Sequence, residues 1–177
     1  IAAPVSVEMF ITPEQASRLL VPLTDDNELD ILRRMDGRED WPGDPELRAD
    51  GPTPILTTLA LADQYLRGVI RNDPVEDCRP YAVVLLTDGG ESCVPAMERE
   101  AALAERATLL QMAGVKTYVV AFGVGQNDLS VLSARARAGG TAINRDGRLD
   151  LRRVLPYEAN DLRGLRAAFS RILEDAI

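Results

Sequence analysis

Asp88 is the side chain in this sequence best placed to do chemistry. It ends the run Tyr81-Ala82-Val83-Val84-Leu85-Leu86-Thr87, which is apolar at nearly every position, and Gly89 and Gly90 follow it. Continuous apolar character, as opposed to alternation, predicts a strand buried on both faces, as in the middle of a parallel sheet. In open α/β sheets, ligands bind in the crevice at the carboxyl ends of the strands, and Asp88 stands at such an end. The two glycines would let the chain turn sharply beside it. The same residues also fit a plain strand-ending turn, because Asp and Gly are common turn formers.

A carboxylate is a hard oxygen donor suited to Mg²⁺, Mn²⁺ or Ca²⁺. Hydrolytic chemistry would need more, namely a positioned base beside a bound water. Glu91 is the one candidate nearby. The chain has no histidine, which removes the commonest general base and the Ser-His-Asp and Cys-His arrangements. No G-x-S-x-G elbow, Walker loop or full G-x-G-x-x-G occurs; Gly123-Val124-Gly125 starts such a dinucleotide loop, but Asp128 stands where its third glycine belongs. The composition therefore argues against an enzyme. A formal charge of -8, with Lys116 the sole lysine, argues against nucleic acid and anionic membrane surfaces, which need clustered cations. No apolar stretch in the sequence approaches the roughly 20 residues of a spanning helix.

The elements that would position Asp88 can be read around it. Gly51-Pro52-Thr53-Pro54 precedes a helical pattern of Leu56, Leu59, Leu66 and Ile70, with Thr53 suited to cap it and Pro54 to its first position. Val115 to Phe122 forms a second buried-strand pattern between Gly114 and Gly123. Ala96–Ala113 and Leu129–Arg137 are predicted helices, and Leu162, Leu165, Phe169, Ile172 and Ala176 mark a last one starting near Asn160 or Asp161. Val5–Ile11 reads as a strand, Asp25–Met35 as a short helix capped by Asp25, and Asn144–Arg148 as a hairpin turn. The acids Asp25, Asp26, Glu28 and Asp30 fit the positive end of that short helix better than a second metal cluster. A calcium loop over 142–153 fails, since Ala142 and Arg153 occupy its first and twelfth positions. Trp41, in the charged loop from Arg38 to Pro52, could touch a ligand at the sheet edge or pin the loop to the body. Cys78 and Cys93 flank the Tyr81 strand. At ~3.3 Å per residue its ends lie over about 20 Å apart, so a direct disulfide would require the Cys93 loop to fold far back.

The order of four pieces carries a resemblance: Gly51-Pro52-Thr53-Pro54, then Tyr81 to Gly89 ending in Thr-Asp-Gly, then Gly114 to Gly123, then Ala138-Gly139-Gly140-Thr141. Together they resemble the von Willebrand factor A domain over most of the chain. The resemblance implies an α/β fold, doubly wound, with a mostly parallel central sheet and helices on both faces. It also implies a divalent cation (Mg²⁺, Mn²⁺ or Ca²⁺) at the carboxyl edge, with Thr53 giving a hydroxyl ligand and Asp88 a carboxylate. Gly89, Glu91 and Trp41 are then candidates for the ligand edge. The family's first motif, D-x-S-x-S, is absent: Ser6, Ser17, Ser92, Ser130, Ser133 and Ser170 are the only serines and none fits it. The expectation is a single domain over 1–177 whose first strand and helix lie upstream, with an incomplete metal site.

In that family the ion bridges to an acidic side chain of a protein partner and nothing is turned over. Leu155-Pro156-Tyr157-Glu158-Ala159-Asn160-Asp161 with the helix after it, and Cys78-Arg79-Pro80-Tyr81, resemble the A domain of type IV pilus-tip adhesin and biogenesis proteins. This implies a secreted or surface location, with adhesion partners or pilus subunits as ligands. The rival expectation is a scaffold or assembly A domain without a working metal site.

Overall fold

The computed structural model describes residues 8–9, 17–24, 26–38, 47, 52–143 and 155–176. The main sheet has three parallel strands in the order β3 (Tyr81–Thr87), β4 (Val115–Phe122) and β5 (Tyr157–Ala159). Tyr81 pairs with Val115 and Thr87 with Ala121 in one unbroken register. Parallel neighbours need a crossover between them, and helix α3 (Ala96–Met112) supplies it from β3 to β4. Helix α2 (Ile55–Arg71) precedes β3, α4 (Gln126–Ala138) follows β4, and α5 (Leu162–Ala176) follows β5. A separate two-stranded antiparallel pair joins β1 (Glu8–Met9) to β2 (Ser17–Arg18), and a short helix α1 covers Glu28–Arg33.

Strand β4 shows why helices lie on both faces of the sheet. Its alternate residues Val115, Val119 and Ala121 pack in a core with Ile55, Leu59, Leu103, Leu110 and Leu132 of α2, α3 and α4. Tyr118 and Val120, on the other face, pack with Tyr157, Ala168 and Ile172 of β5 and α5. Because side chains alternate along a strand, a run apolar at every position can satisfy two cores at once. The fold is thus α/β, with a three-stranded parallel sheet between helical layers, compatible with a Rossmann-like architecture.

Strand β3 departs from the expectation of burial on both faces. Tyr81, Val83 and Leu85 join the α2–α4 core, but Ala82, Val84 and Leu86 are exposed, the last two at 38% and 44%. The cause is position. Among the described residues β3 pairs only with β4, and α5 packs over β4 and β5 without a described partner over β3. Val84 instead opens onto an apolar cleft of about 550 Å³, lined also by Leu19, Leu23, Met35 and Tyr65.

The glycines of two motifs act on the fold. Gly114 (φ 80°) and Gly123 (φ 64°) bracket β4 in the left-handed region that favours glycine. A Cβ on Gly139 would lie 2.5 Å from the Thr117 carbonyl oxygen, so the end of α4 packs backbone to backbone on β4. The Thr141 hydroxyl donates to that same carbonyl, and Thr117 N–H donates to the Gly139 carbonyl. The Ala138–Thr141 motif is therefore a fastening of α4 to the sheet. At the C-terminal end of the chain Asp161 Oδ1 accepts from Gly164 N–H at 2.7 Å, an N-cap one residue before α5, which decides between the Asn160 and Asp161 starts that the periodicity leaves open. Ile143 and Leu155 exchange backbone hydrogen bonds around a segment that holds the expected Asn144–Arg148 turn; that turn lies outside the described residues.

Candidate functional site

The carboxyl end of β3 is shaped by Thr87. Its buried hydroxyl donates to the Gly89 carbonyl at 2.8 Å and accepts from Gly89 N–H at 3.3 Å. Gripping the residue two places on, the hydroxyl turns the chain at Asp88 and leaves Asp88 exposed. Gly89 itself needs no glycine-specific geometry: its φ is not positive, and a Cβ there would meet nothing within 4 Å. The tight turn is made by a hydroxyl, which replaces the glycine argument drawn from the sequence. The Asp88 side chain forms no hydrogen bond or ion pair with another described residue.

Beyond Gly90 the loop runs back against the start of α2. Ser92 N–H donates to the Thr53 carbonyl at 3.1 Å, and Thr53 N–H donates to Ser92 Oγ at 2.6 Å. Leu56 N–H donates to Glu91 Oε2 at 2.6 Å, and Cys93 N–H donates to Glu91 Oε1 at 2.6 Å. The chain around Thr53 and the chain that follows Asp88 are thus joined by three hydrogen bonds, and the fourth, from Cys93, braces Glu91 within its own loop. Glu91 is 1% exposed, so it lies inside the joint and not on the rim of the edge. Bonds of this kind to a charged group contribute about 1.5–3 kcal/mol each.

The same bonds correct the expected cap of α2. The helix starts at Ile55 behind Pro54, and no side chain of the capping residue bonds the first turn. Thr53 does not cap; the first-turn donor on Leu56 is taken by Glu91, a carboxylate at the positive end of the helix. The Thr53 hydroxyl forms no hydrogen bond with a described residue. Two hard oxygen groups, Thr53 Oγ1 and the Asp88 carboxylate, therefore sit on joined loops at one edge of the sheet. Trp41 lies outside the described residues. Among the described residues no three His, Cys, Asp or Glu side chains cluster closely enough to share an ion. A site here would use a hydroxyl, one carboxylate and water, the lean ligand set Mg²⁺ accepts.

The sequence does not single out Ser92, and it offers Glu91 only as a candidate base or rim residue, not as a buried clamp. Their partners lie 39 and 35 residues away, and no local pattern announces such contacts. Cys78 is exposed, Cys93 is half-buried, and neither is in a disulfide. Among the described residues no helix is long and apolar enough to cross a membrane. Comparison with protein-family models, curated proteins and solved structures finds no match for this chain.

Proposed function

We propose that the carboxyl edge of the sheet holds a divalent cation through Asp88 and Thr53, and that the chain is a non-enzymatic adhesion domain of the von Willebrand factor A type. The ion would keep open positions for water and for an acidic side chain of a protein partner. One observation carries this reading: Asp88 is an exposed strand-end carboxylate whose side chain has no hydrogen-bond or ion-pair partner among the described residues, on a loop joined at Ser92 to the loop that bears the Thr53 hydroxyl, which likewise has none among them. The resemblance of the Leu155–Asp161 segment extends the proposal to a secreted or surface protein of type IV pilus-tip kind, with a host surface or pilus subunits as partners.

Calorimetric titration of the full-length protein with Mg²⁺ and Mn²⁺ tests the site. Wild type binds one ion, Asp88→Ala loses it, and Thr53→Ala weakens it without destabilising α2, because Thr53 caps nothing. Equal metal affinity in wild type and Asp88→Ala would sink the proposal.

A second reading has its own observation. Val84 and Leu86 are large apolar side chains exposed on the open face of β3, which suits an assembly domain without a working ion. It predicts that chelation leaves partner binding intact while Leu86→Asp abolishes it.

A further inference from the structure

Glu91 is a buried carboxylate that neither ligates nor catalyses in the reading above, yet a charge taken from water costs stability unless it is compensated. We propose that Glu91, assisted by Ser92, is the positioning residue of the cation site: it fixes the Asp88 loop against Thr53 and contributes negative potential beneath the ion. The inference rests on Asp88 and Thr53 as ligands.

The geometry is specific. Each Glu91 oxygen takes one backbone N–H at 2.6 Å, one from Leu56 in α2 and one from Cys93 in its own loop. A single carboxylate thus bridges the helix that follows Thr53 and the loop that follows Asp88. Ser92, next along, closes a two-way pair with the Thr53 backbone. A neutral side chain could hold one donor in place. A carboxylate holds two, and its charge faces the positive end of α2. Only Gly89 and Gly90 separate it from Asp88, at the edge where a cation would add further compensation. Outer partners of this kind orient the ligands they support, and their loss typically weakens metal binding about 10–100-fold.

The test uses the full-length protein and Mn²⁺ alone as probe. Glu91→Gln preserves the shape, removes the charge and turns an NH₂ group toward one of the two donors. Its Mn²⁺ dissociation constant at 25 °C should rise about tenfold, with an unchanged circular-dichroism spectrum. Ser92→Ala, which removes the acceptor of Thr53 N–H, should raise it by a smaller factor and carries the test if Glu91→Gln fails to fold. A merely structural role would lower the melting temperature in EDTA and leave the dissociation constant of the folded variants untouched; that result overturns the proposal. Asp88→Ala separates the two layers. If it loses Mn²⁺ while both clamp variants bind as wild type, the positioning role is wrong and the cation site stands. If it binds as wild type, the cation site itself is wrong.

Discussion

An acid stands near each end of β3, and the two have opposite surroundings. Near the amino end, the Asp73 side chain is 6% exposed and its Oδ2 lies 3.0 Å from the Arg79 guanidinium. It accepts the Tyr81 hydroxyl and, through Oδ1, the Val75 N–H. The Tyr81 bond above all, then the Val75 N–H, holds its carboxyl below the ordinary value of 3.8. At the carboxyl end Asp88 is exposed and has none of these partners among the described residues. A carboxylate saturated by its neighbours serves the fold. One left open by a loop that is itself firmly bonded is available to something outside the chain. Asp175, half-buried and bonded to Tyr118 and Lys116, belongs with Asp73.

The largest effect expected from this contrast is on binding. Asp88→Ala should remove Mg²⁺ and Mn²⁺ affinity, yet in EDTA its stability should stay within about 0.5 kcal/mol of wild type, as for other exposed substitutions. Asp73→Ala should do the reverse: a lower melting temperature, the same in EDTA and in Mg²⁺, with metal affinity intact. Differential scanning calorimetry of both variants in both buffers checks the pair, and a metal-dependent loss in Asp73→Ala would break the contrast.

A smaller effect is the acid dependence. Because the folded-state pKa of Asp73 is depressed, its contribution is fully present above the unfolded value near 3.8 and is lost as pH falls through the lower folded value. Melting curves from pH 5 to pH 2 should therefore be steeper for wild type than for Asp73→Asn. The smallest effect is at high pH. Burial, and then the bond to Asp73, raise Tyr81 from 10.0 to about 12, so its contribution is complete below pH 10 and fades as pH approaches 12. Ultraviolet titration of Tyr81→Phe should lack one tyrosinate component near pH 12; loss of a component near 10 instead would show that Tyr81 is not held by Asp73.

Much of the scaffold was legible because its signals are local. The apolar runs gave β3 and β4, and helical spacing gave α2, α3, α4 and α5 to within a few residues. The start of α5 was legible to within one residue, Asn160 or Asp161. What was not legible depends on neighbours. Tyr81–Thr87 and Val115–Phe122 have the same continuous apolar pattern, yet β4 is covered on both faces and β3 on one. Among the described residues nothing lies over the second face of β3, and periodicity records which faces are apolar, not what lies over them. At the site, the position of Asp88 followed from the strand that ends there, whereas the inward placement of Glu91, the loss of the Thr53 cap and the part played by Ser92 are contacts across 35 or more residues. The glycines after Asp88 suggested a turn made by backbone freedom, but the Thr87 hydroxyl makes it.

Asp88 and Thr53 are proposed to share an ion. The most direct measurement is anomalous diffraction from crystals of the full-length protein soaked in Mn²⁺. One strong peak is expected at the carboxyl edge of the sheet, with the Asp88 carboxylate and the Thr53 hydroxyl at ligand distances of about 2.0–2.6 Å or one water removed, and no peak there in Asp88→Ala. A manganese peak elsewhere with that edge empty, or one that survives Asp88→Ala, would contradict it.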